Sequence, residues 1–299
     1  MRISLAKALP LALIAVLLSG CAPTEFSKTD SAPSSEYGQS SLEIIRSYPV
    51  SGMECMDEFF DAYVDVFGIY VVGAGAPDDK LLHTASVLAQ YLDNDSDGTA
   101  DDQRVLDYLV KENFHFPVWT ENDWERFSDA SCGADKYNMA ASMYPRDQWA
   151  MGGIERSGKW DTNLEEVWHL VSRGFYGVYP EDFSIDESSS LTRAMDVARG
   201  GYFPVVPAQY PASAWYSYYD DAPYQTHASE YFYWAVVTNF GALNSEIVPD
   251  RCEQIKEEWR ICTKADLEKT DPLVFELLNE RSFKIPKIIP DGIYLPVTG

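Results

Sequence analysis

The amino-acid sequence predicts an α+β fold that is predominantly α-helical. Apolar side chains recur at helical spacing in several segments, of which 78–92, 162–175 and 226–240 are the most regular. Segments with the short or alternating apolar pattern of a strand are few. They lie at 114–119, where a turn broken by Pro117 is the alternative, and at 135–145. We therefore expect helices that pack around a smaller β component.

Further periodic segments complete this outline. Helices are predicted at 56–70, 188–199 and 266–280. The proline-punctuated tail 285–298 is predicted to run extended along the surface. The chain is 46% hydrophobic and 14% aromatic, which suffices for a large buried core. We expect a single α-rich domain over residues 43–299, in which two lobes, 43–145 and 146–299, pack closely.

Residues 1–20 have the pattern of an export signal. A basic end precedes the apolar run 9–18, which is too short to span a membrane as a mature helix. The sequence Leu18-Ser19-Gly20-Cys21 follows and resembles the lipobox of bacterial lipoproteins. The resemblance implies that Cys21 is acylated and becomes the first residue of the mature chain. An ordinary cleaved signal peptide and a membrane anchor are the alternatives.

The residues after Cys21 bear on its destination. In such lipoproteins Ala22, rather than Asp, at the next position implies the outer membrane. The chain would then be exported and attached to the lipid bilayer through acylated Cys21 alone. Residues 21–42 are rich in Ser, Thr, Pro and Glu without an apolar period, so they predict a flexible tether.

The chain is strongly acidic. It contains 23 Lys and Arg against 47 Asp and Glu, for a net charge of −24. Loss of Arg2 and Lys7 with the signal would take this charge to −26. A charge of this sign argues against nucleic acid and anionic lipid as partners, and it favours solubility and cation binding.

Four cysteines remain after Cys21, and an even number in an exported chain predicts disulfides. Three connectivities are open. We favour Cys252–Cys262, because the two residues are close in sequence, and Cys55–Cys132 as the second pair. A cysteine-based zinc site is the weaker interpretation, because the sequence has no Cys-x-x-Cys pair.

The sequence DNDSDGTAD at 93–101 is the most specific motif. Its oxygen ligands for calcium would be Asp93, Asp95, Asp97, the Thr99 carbonyl and Asp101. Gly98 stands where the loop turns sharply, and helical patterns flank the motif on both sides, so it resembles an EF-hand. Arg104 occupies the twelfth position, where an EF-hand carries a bidentate Glu. The alternative is an acidic, solvated loop.

Two predicted helices carry Glu and His at spacings that place them side by side. Glu165 and His169 are four residues apart, on a side of their helix away from its apolar stripe. Glu230 lies within the apolar run 226–240, with His227 one turn earlier on the same face. Because a buried carboxylate must be paired, protonated or bound to a metal, the two helices predict a metal or acid–base site.

The sequence Glu165-Glu166-Val167-Trp168-His169 resembles the zincin motif His-Glu-x-x-His, with Glu165 in place of the first His. In 226–232 the later Glu is similar to the third ligand of gluzincins, in a helix similar to that of anthrax lethal factor-like peptidases. The resemblance implies a zincin-like core, with Glu165, His169 and Glu230 as zinc ligands and His227 as a further candidate. It also implies Glu166 as the general base and Tyr224 as the oxyanion stabiliser.

The segment 203–223 is unusually rich in Tyr and Trp. It lines either a cleft for a peptide or glycan ligand or the packing around the helix that follows. Together these features predict a calcium-binding outer-membrane lipoprotein with a zincin-like, zinc-binding and degenerate metallopeptidase domain. The rival interpretation is a non-enzymatic surface binding or scaffold protein, in which the Glu and His residues form a structural polar network.

Overall fold

The computed structural model describes residues 41–51, 54–120 and 138–297. The predicted signal, Cys21, Cys132 and most of the predicted tether lie outside these residues. In the described part, a four-stranded sheet packs against helices, so the α+β class is confirmed. No described helix has the length and apolar content needed to cross a membrane.

The elements alternate only in the first half of the chain, and helices fill the second half. A 3₁₀ helix spans Glu54–Glu58. The strands are β1 (Ala62–Val66), β2 (Ile69–Ala74), β3 (Phe114–Trp119) and β4 (Asn138–Met139). The helices are α1 (Asp78–Leu92), α2 (Gln103–Lys111), α3 (Ile154–Ser157), α4 (Asn163–Val178), α5 (Pro180–Phe183), α6 (Ser190–Ala198), α7 (Tyr224–Asn239), α8 (Arg251–Gln254), α9 (Lys264–Thr270) and α10 (Pro272–Asn279).

The helix predicted at 56–70 is wrong. Strands β1 and β2 form an antiparallel hairpin there, with Val66 paired to Ile69. Phe67 and Gly68 make the two-residue turn, and both have positive φ (54° and 89°), as the favoured hairpin turns require. The apolar spacing fitted a helix because both strands are buried on both faces, which removes the alternation that marks a half-exposed strand.

The sheet order is β1-β2-β3-β4, and β2 and β3 run parallel. A crossover is needed between parallel strands, and α1, the acidic loop and α2 provide it. The predicted strand at 114–119 is confirmed as β3, whereas in the described part of the segment 135–145, residues 138–145, only Asn138 and Met139 form a strand. One continuous apolar core joins the sheet, α1, α2, α4 and α7, and so spans both predicted lobes.

Helix α4 begins at a buried junction with α1. Asp161 Oδ1 accepts from the backbone N–H of Asn163 (3.1 Å), the first residue of the helix. The Asn163 side chain accepts from the Thr84 hydroxyl at 2.6 Å. His83 is buried, with Nε2 2.6 Å from Asp161 Oδ2. These bonds fix the start of α4 relative to α1.

Helix α7 is buried on nearly all sides, as its sequence predicts. The helix predicted at 266–280 is interrupted: α9 ends at Thr270 and α10 starts at Pro272, because proline cannot continue a helix from within. Cys252 and Cys262 form the expected disulfide. Cys55 is also disulfide-bonded, and its predicted partner Cys132 lies outside the described residues.

Candidate metal centre

Helices α4 and α7 bring three of the predicted ligands to one point. Ligand atoms of Glu165, His169 and Glu230 all lie within 4.8 Å of one another. His169 Nε2 is 3.4 Å from Glu230 Oε1. The four-residue spacing on α4 places Glu165 and His169 on one face, and the packing of α7 against α4 supplies Glu230 opposite them.

The side chains of the centre are largely buried but keep some exposure to solvent. The His169 and Glu230 side chains are 14% and 16% exposed. Burial raises the pKa of Glu230 well above its usual range, and the neighbouring charges of Glu165 and Glu258 raise it further. Burial also raises the pKa of Glu165, against the opposing effect of Arg251. Two carboxylates held together in this way are stabilised by a bound cation.

His169 has a defined role on each ring nitrogen. Burial and the nearby Arg173 lower its pKa to about 4, so the imidazole is neutral at physiological pH, as a metal ligand must be. Its Nδ1 lies 3.2 Å from the Ser229 hydroxyl, and its Nε2 faces Glu230. The nitrogen on the side of the carboxylates is the one presented to the centre.

Glu166 lies next to the centre on the adjoining face of α4. The backbone N–H of Ser142 donates to its carboxylate. Burial, with the charges of Glu165 and Asp147, raises its pKa to about 8. The Glu166 charge also contributes to the raised pKa of Glu230, so the two carboxylates are electrostatic neighbours. This is the residue predicted as the general base.

His227 and Tyr224 are not part of the three-residue group. His227 Nδ1 lies 3.1 Å from the guanidinium of the buried Arg199. The Tyr224 hydroxyl donates to Asp196 at 3.1 Å, and Asp196 pairs with Arg199 at 2.7 Å. Both residues lie on the first turns of α7 and belong to a polar network around Arg199. Arg199 already places a positive charge beside the His227 ring, which disfavours a metal ion there.

The structure adds neighbours that sequence reasoning missed. Trp234 Nε1 donates to Glu258 (2.8 Å), and burial raises the pKa of Glu258 to about 7. Arg251 stacks on Trp160, 4.5 Å from the ring centre, and its charge acts on Glu165 and Glu258. Arg251 and Glu258 lie in a stretch of mixed charge for which the sequence analysis predicted no element, so no local pattern connects them to this site.

Tyr233 is the second missed neighbour. Its side chain is fully buried, and its hydroxyl lies beside the Glu165 carboxylate, where a hydrogen bond between them opposes the rise that burial causes in the pKa of Glu165. Burial, followed by the charge of Glu165, raises its pKa, which places the hydroxyl beside the centre. The sequence offered Tyr233 only as part of an apolar helix.

The raised pKa of Glu258 predicts how metal-free stability depends on pH. The pKa of Glu258 is about 7 in the folded state and near 4.5 in the unfolded state. The contribution of Glu258 to the free energy of unfolding is therefore most favourable below pH 4.5, and it is lost as the pH rises to 7. We expect Glu258→Gln, which keeps an acceptor for Trp234, to be more stable than wild type by about 1–3 kcal/mol at pH 8. Urea unfolding of metal-free protein should show little difference at pH 4. A constant difference at both pH values would contradict the assignment.

The acidic loop between α1 and α2 forms a second carboxylate cluster. Ligand atoms of Asp93, Asp95 and Asp97 lie within 4.8 Å of one another. Asp93 is fully buried, and its two oxygens accept from the backbone N–H groups of Asp97 (3.0 Å) and Gly98 (2.8 Å). Gly98 has a φ of 91°, so the turn at this position favours glycine, as the motif predicts.

The remaining positions of the loop motif, Asp101, Thr99 and Arg104, make hydrogen bonds of their own. Asp101 accepts from the backbone N–H of Asn94 at 2.7 Å, and the charges of the other loop carboxylates contribute to its raised pKa, after burial. Thr99 donates its hydroxyl to Asp97 (2.5 Å). The Arg104 guanidinium donates to the Tyr179 hydroxyl and lies 3.6 Å from Asp102. It therefore does not replace the missing twelfth-position carboxylate.

The C-terminal tail packs over this loop. The Asn94 side chain accepts from the backbone N–H groups of Lys287 (2.7 Å) and Ile288 (2.8 Å). The Tyr294 hydroxyl donates to Asp93 (2.5 Å), and the Val297 N–H donates to the Ser96 carbonyl (2.9 Å). The loop geometry is thus set by the tail as well as by the two helices.

The aromatic segment 203–223 divides between packing and surface. Tyr210 and Tyr216 are buried, whereas Tyr219 is 57% exposed. The Tyr218 ring lies 4.8 Å from that of His227, and the charges of Glu230 and Glu258 contribute to its raised pKa of about 12, after burial. The segment therefore contributes to the core and also reaches towards the metal centre.

Comparison of the chain with protein-family models, curated proteins and solved structures gives no match.

Proposed function

We propose that this protein binds a zinc-type divalent cation through Glu165, His169 and Glu230 and uses it for hydrolysis. The convergence of these three side chains from two distant segments carries the proposal. Two carboxylates and a neutral imidazole balance the charge of one dication. They are also ligands that zinc accepts, although two His and one Glu form the commoner catalytic set.

The surroundings support a functional centre. The buried Tyr233 hydroxyl lies beside Glu165 and adds a further polar group to the centre. Glu258 and Glu166 add negative charge, and Arg251 supplies a compensating cation next to Glu165. A neutral structural network would not need this excess of buried carboxylates.

The chemistry follows from the positions of the side chains. A zinc ion supplies a Lewis acid at the centre. Glu166, held by the Ser142 N–H, accepts a proton from the attacking water and delivers it to the leaving group. The resemblance to zincins makes a peptide bond the proposed substrate. Tyr224 has no part in this scheme, because its hydroxyl is committed to Asp196.

Metal analysis of the full-length chain tests the proposal. Protein purified in detergent without chelator should contain zinc in a one-to-one ratio, or take it up to that ratio in equilibrium dialysis. A chain that neither retains nor acquires zinc would contradict it. In that outcome the protein is a binding or scaffold protein whose buried Glu and His residues are structural.

The acidic loop is proposed as a separate calcium site, supported by the convergence of Asp93, Asp95 and Asp97. Because Arg104 replaces the bidentate Glu, we place its affinity in the range of extracellular modules, with a Kd of about 0.1–1 mM. At 5 mM calcium, linkage then gives about 1–2 kcal/mol of stabilisation.

Thermal unfolding checks the calcium site. We expect 5 mM calcium to raise the Tm of wild type by about 2–8 °C. Asp95→Ala should abolish this rise, because it removes a proposed ligand. The fold should tolerate the change, because Asp95 is exposed and its carboxylate accepts from the Asp97 N–H at the surface. Asp107→Ala, an exposed Asp on α2, is the matched control and should keep it. An unchanged wild-type Tm would rule out the calcium site.

We also propose that the protein is exported and attached to the outer membrane through acylated Cys21. The lipobox-like sequence that ends at Cys21 supports this localisation. Mass spectrometry of the mature N-terminus should find a lipid-modified Cys21. A free thiol, or an intact signal, would contradict it.

A further inference from the structure

Ser229 holds the ring of His169 from the side opposite the metal centre. Its hydroxyl lies 3.2 Å from His169 Nδ1, and it immediately precedes Glu230 on α7. The Tyr176 hydroxyl, from α4, donates to Ser229 at 3.3 Å. A chain of three polar groups therefore runs from α4 to α7 and back to the ring on α4.

The chemistry of a histidine ligand explains this contact. A ring nitrogen that binds a metal must present its lone pair, so the other nitrogen carries the proton and needs an acceptor. The Ser229 oxygen is at the correct place to accept from Nδ1–H, which leaves Nε2 free towards Glu165 and Glu230. Without such a partner the ring can turn or adopt the other tautomer, which presents an N–H to the centre.

A hydroxyl is suited to both states of the site. With no cation present, Nε2–H can donate to Glu230, 3.4 Å away, while Ser229 donates to Nδ1. When a cation takes the Nε2 lone pair, the Ser229 hydroxyl can rotate and accept from Nδ1–H instead. A carboxylate or a backbone carbonyl at this position could serve only the second state.

We infer that Ser229 is a positioning residue of the metal centre, which orients His169 through Nδ1 and fixes the tautomer that binds zinc through Nε2. The inference rests on the proposed zinc site. It assigns a function to Ser229 and, through it, to Tyr176. Neither residue touches the cation, so both act by setting the geometry of His169.

Zinc competition measurements on four full-length proteins test this inference. We expect Ser229→Ala to weaken zinc binding by about 10- to 100-fold, the usual cost of losing such an outer partner. Ser229→Thr, which keeps the hydroxyl, should bind within about threefold of wild type. Ser86→Ala is the matched control: its buried hydroxyl donates to the Leu82 carbonyl within α1 and belongs to no part of this chain of polar groups, so its zinc affinity should be unchanged.

Nitrogen-15 NMR of the histidine ring separates positioning from general loosening. Zinc-loaded wild type should show His169 bound through Nε2 with a proton on Nδ1, and Ser229→Thr should give the same spectrum. Wild-type affinity in Ser229→Ala, or a zinc ion on Nδ1, would overturn the inference while the zinc site stands. If wild type itself binds no zinc, the proposed function fails, and the inference fails with it.

Discussion

Zinc binding is expected to fall by more than about 100-fold in His169→Ala and in Glu230→Gln. Loss of an outer partner alone costs about 10- to 100-fold, so loss of a ligand should cost more. Glu230→Gln keeps the shape of the side chain and removes its charge. The dication then faces one carboxylate, Glu165, where the wild type offers two.

Metal-free stability should change in the opposite direction for Glu230. Because burial and like charges raise its pKa, removing the charge is expected to stabilise the metal-free fold while it weakens zinc binding. Equilibrium dialysis and urea unfolding, run on the same samples, measure the two effects. Glu246→Gln, an exposed glutamate, is the matched control and should change neither. Equal zinc affinity in Glu230→Gln and wild type would exclude Glu230 as a ligand.

The residues of the candidate site could be predicted where a pattern within a single helix identifies them. Glu165 and His169 lie on one helix at a fixed spacing, and Glu230 is a carboxylate inside an apolar run, so each residue is conspicuous in the sequence alone. Their convergence depends on how α4 and α7 pack, which no local pattern specifies. Glu258 and Arg251 reach the centre only through that packing, and the sequence did not indicate them.

The fold was predictable to a similar extent. Helix α1 has the predicted bounds, because its apolar period and its ends are both marked in the sequence. The hairpin of β1 and β2 was missed, because burial on both faces gives a strand the apolar density of a helix. His227 was expected near Glu230 because the two share a helix face. The buried Arg199 beside His227 comes from the C-terminal end of α6, and the periodicity of α7 cannot predict a contact with another helix.

Hydrolysis is expected to separate from metal binding in Glu166→Gln. Glu166 follows Glu165 in sequence but is not one of the three proposed ligands: its carboxylate accepts from the Ser142 N–H and feels the charges of Glu165 and Asp147. Its substitution should therefore leave zinc affinity within a few fold of wild type.

A bound dication would favour the ionised form of Glu166, and a positioned proton acceptor accounts for about 100- to 10,000-fold in rate. We expect cleavage of quenched fluorescent peptides to fall by that factor in Glu166→Gln at full zinc occupancy, while Glu155→Gln, a glutamate exposed on α3, cleaves like wild type. Loss of zinc together with activity in Glu166→Gln would make Glu166 a ligand. Equal cleavage by the variant and wild type would remove it from the reaction, and a zinc-loaded wild type that cleaves no peptide would leave a metal site without hydrolytic function.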